Sequence, residues 1–141
     1  MADADSPLQL VAGGSGIVPL MAMLRHRALA ARGGVARLLY SSRTWETTIY
    51  RDELGRLARG DERLGVVHTL TRAAPSGWSG PTRRVDRPML EEHVLPPSDA
   101  PDVFVCGPTP FVETVASTLV ELGHAPARIK TERFGPTGGS T

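Results

Sequence analysis

Cysteine is nearly absent. Cys106 stands alone in 141 residues, so no intrachain disulfide can form, and an iron–sulfur cluster would need about four thiolates. A lone thiol suits a reducing compartment, and the expected location is the cytoplasm. Histidine is sparse as well: His26, His68, His93 and His124 share no metal-ligand spacing with one another or with Cys106, so no metal site is expected. Aromatic residues make up 5% of the chain and no basic stripe carries them, which argues against a nucleic-acid partner. Long apolar runs are missing too. The stretch from Leu8 to Leu24 is broken by glycines, so no membrane span is expected. The first residues, Met1-Ala2-Asp3-Ala4-Asp5, are acidic where a targeting segment would be basic. Neither charge sign dominates, since 16 basic and 15 acidic groups leave a net charge of +1.

What is present alternates. Hydrophobic residues at 40% and charged residues at 22% are ordinary for a globular domain, and the expected organisation is one domain over residues 1–141. Fifteen glycines and twelve prolines fall between short apolar runs and read as turns. Residues 8–12, 36–40, 65–70 and 102–106 read as buried strands, and the more polar 128–134 as a sheet edge. Between them lies helical periodicity. Leu20, Met21, Leu24, Ala28 and Ala31 form one stripe, with Pro19 at the first helical position and Gly33-Gly34 as the stop. Further helices are expected over 50–58, about 88–95, and from Thr109 to a stop at Gly123, the last with Phe111, Val115, Leu119 and Leu122 on one face. Residues 73–87 have no period and read as a long loop, with Trp78 as its packing anchor. The alternation predicts a doubly wound, Rossmann-like α/β fold with a parallel sheet. In such a sheet ligands lie beyond the carboxyl ends of the strands, where strand order reverses, so residues just after each strand are the candidates.

Four such places carry ligand-type residues. After the first strand, Gly13-Gly14-Ser15-Gly16-Ile17-Val18-Pro19 opens into a helix. Glycines let backbone approach a bulky anion, and a helix N-terminus offers free N–H groups. The plain alternative is a tight turn without ligand. After the second strand come Ser42 and Arg43, hydroxyl and guanidinium where an NAD site usually has a carboxylate; they suit an adenosine 2′-phosphate, with Tyr50 available to adenine. A surface arginine is the alternative. After the third strand, Thr71 and Arg72 suit a ribose or pyrophosphate, or else Arg72 is a solvated loop charge. After the fourth, Cys106-Gly107-Pro108 would let a flat ring approach the backbone; the alternative for Cys106 is a buried structural thiol. No His/Asp pair can be tied to it by spacing, which argues against a cysteine hydrolase.

Taken in order, these elements resemble the NAD(P)H-binding domain of the ferredoxin–NADP⁺ reductase superfamily, in the manner of bacterial oxygenase reductases and flavohaemoglobin reductase modules. The likeness is carried by residues 10–23, 38–44, 49–54, 105–112 (Val-Cys-Gly-Pro-Thr-Pro-Phe-Val) and 131–138 (Thr-Glu-Arg-Phe-Gly-Pro-Thr-Gly). It implies a five-stranded parallel sheet ordered 3-2-1-4-5 and hydride transfer between NAD(P)H and FAD, with NADPH favoured over NADH. By the same resemblance, Gly14, Ser15 and Gly16 would meet the pyrophosphate, and Ser42 and Arg43 the 2′-phosphate. Cys106, Gly107 and Pro108 would flank the nicotinamide, and Glu132 and Phe134 would sit at the flavin face. Relatives place an FAD-binding β-barrel with an Arg-x-Tyr-Ser-type motif before this domain, and that motif is missing here. Residues 1–7 would then be a linker, and FAD would lie on a domain or flavoprotein partner outside these residues, serving a downstream electron acceptor. The function expected is an NADPH-binding module of a flavin-dependent oxidoreductase. The alternatives are a nucleotide-binding regulatory module without catalysis and a purely structural α/β domain.

Overall fold

The structure is a computed structural model and describes residues 6–30 and 34–134. Five strands alternate with four helices: β1 (Leu8–Gly13), α1 (Ile17–Ala30), β2 (Ala36–Ser42), α2 (Arg51–Arg59), β3 (Leu64–Leu70), α3 (Arg87–His93), β4 (Asp102–Pro108), α4 (Thr109–Glu121) and β5 (Ile129–Phe134). Every strand pair is parallel, and the order across the sheet is β3-β2-β1-β4-β5. The chain winds outward from β1 to β3, then returns to the other side of β1 as β4. Strand order therefore reverses between β1 and β4, which opens a crevice at their C-terminal ends.

The strand pleat divides the core in two. Leu10, Ala12, Leu38 and Tyr40 point to one face and pack with Ile17, Leu20, Met21 and Leu24 of α1 and Leu54 of α2. Val11, Leu39, Val103 and Val105 point to the other and pack with Met89 and Leu90 of α3 and Val112, Val115 and Leu119 of α4. Alternate residues of one strand thus serve opposite layers, as the two-residue period requires.

Several expectations need correction. β3 is an edge strand, not a fully buried one: Gly65 is exposed and Val66, Val67 and His68 are half-buried. An apolar run marks burial poorly when a single face supplies it. Pro19 is the third residue of α1 rather than the first, because a 3₁₀ turn at Gly14–Gly16 leads into a helix that starts at Ile17. The position still lies in the first turn, where an N–H has no intrahelical partner. In α1 the stripe ends early. Ala28 is exposed, while Ala31 and the Gly33 of the expected stop lie outside the described residues. Residues 135–138 of the closing motif lie outside them as well. α3 ends at His93, with Val94 extended at φ −96 and ψ 143. Leu95 beyond it donates its N–H to the buried Gln9 Oε1 at 2.9 Å. A residue ahead of proline avoids the helical region, and Pro96 follows. Among the described residues, no helix is long and apolar enough to cross a membrane.

Candidate functional site

A cleft of about 750 Å³ lies at the C-terminal ends of the central strands. The turn after β1 contributes Gly13, Gly14 and Ser15, and the end of β2 contributes Ser41, Ser42 and Arg43. Thr47 and Ile49 come from the loop leading to α2, and Thr71 and Arg72 from the end of β3. The opposite wall is Arg84 and Val85, returning toward α3, with Pro108, Pro110, Phe111, Thr114 and Val115 at the start of α4. Among the described residues no carboxylate lines this space. Arg43, Arg72 and Arg84 make no side-chain hydrogen bond or ion pair among the described residues. Their neighbour Arg83, by contrast, is held to Asp86 at 2.6 Å, and that pairing lowers the carboxyl's pKa. Three exposed guanidiniums without a counter-charge among the described residues border one concave surface, which favours an anion there.

The glycines divide by task. Gly14 has φ +54, in the left-handed region, and the place of its missing Cβ is open space. It is exposed at the cleft. The turn carries no side-chain cap and no acidic residue, so the positive end of α1 is left for something else. Gly16 faces inward: a Cβ there would strike the Cys106 carbonyl and come within 2.7 Å of the Gly107 nitrogen. Gly13 and Gly107 each lie where a Cβ would come 2.9 Å from Phe111 Cδ2. The missing side chain at Gly107 leaves room for the chain's own Phe111 ring.

The other expected site residues scatter. Ile17 is fully buried in the core, and its N–H is directed at the Gly14 and Ser15 carbonyls, so it offers the cleft neither group. Val18 and Pro19 sit on α1 outside the cleft lining, Val18 being 48% exposed. Ser42 borders the cleft, and its hydroxyl is shut off from solvent on the side of Tyr40. It follows the pleat of Tyr40 toward α1, whereas Ser41 shares the Leu39 face. Both serines line the cleft, from opposite sides of the strand pleat. Tyr50 is absent from the lining: its φ is +63, and its ring packs beside the α1 core, with the Arg25 guanidinium 5.0 Å above.

Cys106, Glu132 and Phe134 form a separate group at the β4–β5 end, and Gly107 precedes Pro108 there. In register, Cys106 lies opposite Glu132 and Pro108 opposite Phe134. Cys106 is buried, and burial, reinforced by the Glu132 carboxylate, pushes its thiol up to about 11. Such a group stays protonated near neutrality and is no nucleophile. Among the described residues no cluster of His, Cys, Asp and Glu could hold a metal ion. Trp78 anchors its loop, donating from Nε1 to the Pro81 carbonyl at 3.1 Å.

Sequence inspection missed Arg84, Thr47, Ile49, Pro110, Phe111 and Thr114 as cleft residues. Arg84 had one available signal, its place at the end of a long loop; the rest are brought in by tertiary packing.

Residues 10–117 match the family described as the oxidoreductase NAD-binding domain. The chain belongs to that family. This NAD-binding domain is similar to ferredoxin–NADP reductase B of Sorangium cellulosum, with 37% identity over 136 residues covering 93% of the chain and 55% of the relative. It is also similar to NADH-cytochrome b5 reductase 2 of Rattus norvegicus, with 33% identity over 127 residues covering 88% and 46%. Among solved structures, the flavohaem-like FAD/NAD-binding domain of nitric oxide dioxygenase from Vibrio cholerae has a TM-score of 0.84 at 25% identity, covering 96% of this chain and 54% of that one. The NAD-binding domain here spans about half the length of the curated relatives it matches. Those relatives are oxidoreductases of the ferredoxin-reductase kind.

Proposed function

We propose that this chain is the NADPH-holding part of a flavin-dependent oxidoreductase, with FAD on a domain or protein outside residues 1–141 and a further electron acceptor beyond it. One observation carries the choice of NADPH over NADH: among the described residues three unpaired arginines line the cleft and no carboxylate does. A carboxylate is the usual partner of an unphosphorylated ribose, and guanidinium groups are the partners of a phosphate.

The residues fit the group. Gly14 and Ser15 offer backbone at the uncapped start of α1, suited to a diphosphate. Arg43 suits the 2′-phosphate, with Arg72 and Arg84 sharing the negative charge and Thr71 beside them. Ser41 borders the cleft beside Ser42 and can share the role expected of it. Ile49, near the β2 end of the cleft, replaces Tyr50 as the apolar neighbour of an adenine. At the far end, Pro108 and the Cys106–Glu132–Phe134 group border the path toward the flavin. Cys106 would act there as a neutral, poorly hydrated thiol. When bound, the reduced pyridine nucleotide supplies a hydride, and the protein's part is to bind and orient it.

Calorimetric titration with NADPH and NADH tests this. NADPH should bind more tightly, and Arg43→Ala should erase most of the preference at a cost of about 1.5–3 kcal/mol, the range for hydrogen bonds to charged groups. Equal affinity for the two nucleotides in the unsubstituted chain would contradict it.

A further inference from the structure

We propose that Trp45 and Trp78 are positioning residues that clasp together the two loops forming the β2–β3 end of the cleft, and so keep its arginines converging. The inference rests on the proposal that this cleft takes a phosphorylated nucleotide.

These are the chain's two tryptophans, and they meet each other: ring centroids lie 5.5 Å apart with planes at 48°. Trp45 belongs to the loop after β2 that supplies Arg43, Thr47 and Ile49. Trp78 belongs to the loop after β3 that begins at Arg72 and returns as Arg84. The two loops start side by side, where the Arg43 carbonyl accepts from the Arg72 and Ala73 N–H groups. Past that point they share no backbone hydrogen bond among the described residues, and the tryptophan contact rejoins them.

Each ring is also fixed to β3. Trp45 meets His68 of β3 edge-on at 5.1 Å, and His68 leans on Tyr40 of β2 at 5.5 Å. The Tyr40 hydroxyl accepts the Ile49 N–H at 3.0 Å. Arg51 covers Trp45 and donates to its carbonyl at 2.7 Å. Trp78 reaches the Pro81 carbonyl, which also accepts the Leu70 N–H at 3.2 Å, and the buried Thr69 hydroxyl donates to the Arg83 carbonyl beside Arg84. The return limb is thereby pinned one residue before the guanidinium it presents.

Such a fastening matters because the cleft's three arginines come from both loops. Arg43 stands on one loop and Arg72 and Arg84 on the other, so any population with the loops parted lowers apparent affinity by the fraction lost. The tilted ring contact between the two loops opposes that motion.

The test uses the full chain with adenosine 2′,5′-bisphosphate as the probe, by calorimetry and stopped-flow mixing. Trp78→Ala should weaken affinity about ten-fold, as a competent fraction reduced to about one-tenth requires. Trp78→Phe keeps an aromatic face and should recover most of that loss, and Trp45→Phe should do likewise. Thermal unfolding midpoints establish that each variant is folded. If Trp78→Ala binds as tightly as the unsubstituted chain, or Trp78→Phe as weakly as Trp78→Ala, the clasp is overturned. If the unsubstituted chain binds no phosphorylated nucleotide, the functional proposal fails and takes the clasp with it.

Discussion

Gly16→Ala should be far more damaging than Gly14→Ala, although both alter the same glycine-rich turn. A methyl at Gly16 would overlap the Cys106 carbonyl and crowd the Gly107 nitrogen at 2.7 Å, and both neighbours are backbone of β4, locked between β1 and β5. No rotamer change relieves that clash. Overpacking of this kind costs about 3 kcal/mol or more, at the upper end of the usual range. At Gly14 a methyl meets nothing within 4 Å, so the penalty is the φ of +54 alone, about 1 kcal/mol for an L-residue in the left-handed region. For a chain of this length 1 kcal/mol shifts the unfolding midpoint by about 3–4 °C, so the two variants should melt roughly 7 °C apart. Differential scanning calorimetry, with guanidinium titration for ΔG, reads both quantities. Equal midpoints, or Gly14→Ala as the worse variant, would refute the assignment of Gly16 to packing and Gly14 to the open turn.

Two further outcomes follow from buried titratable groups. With its thiol pushed up to about 11, Cys106 should be alkylated by iodoacetamide far more slowly in the native chain than in guanidinium, with a rate still climbing above about pH 9; a plateau below that would contradict the environment described. Burial holds His68 below the ordinary imidazole value of 6.5, so the unfolded chain takes up the proton first, and stability should fall as pH drops below that value. His68→Gln should flatten part of the fall between about pH 7 and pH 5.5, leaving the share of His124, which burial shifts the same way. An unchanged slope of guanidinium midpoint against pH would count against it.

The central strands β1, β2 and β4 were legible because a strand covered on both faces is mostly apolar, and each carries such a run despite Gln9, Arg37 and Asp102. The same logic misjudged β3, whose Val66, Val67 and His68 are half-buried at an edge. Site residues were legible where the backbone alone decides position. Gly14, Arg43 and Arg72 fall just after strands and Pro108 ends one, and a parallel sheet collects such residues at one end. Where side-chain direction decides, adjacency in sequence says less. Ser42 and Ser41 differ by one pleat, and Ile17 turns into the core one residue past the glycine turn. Arg84 and Phe111 reach the cleft from a returning loop and a helix flank, contacts that no local pattern records.

The most direct measurement is a crystal structure of the chain in excess NADPH. The account predicts the diphosphate against the backbone at Gly14 and Ser15, and the 2′-phosphate among Arg43, Arg72 and Arg84. A nucleotide lying elsewhere, or a cleft left empty at saturating concentration, would contradict it.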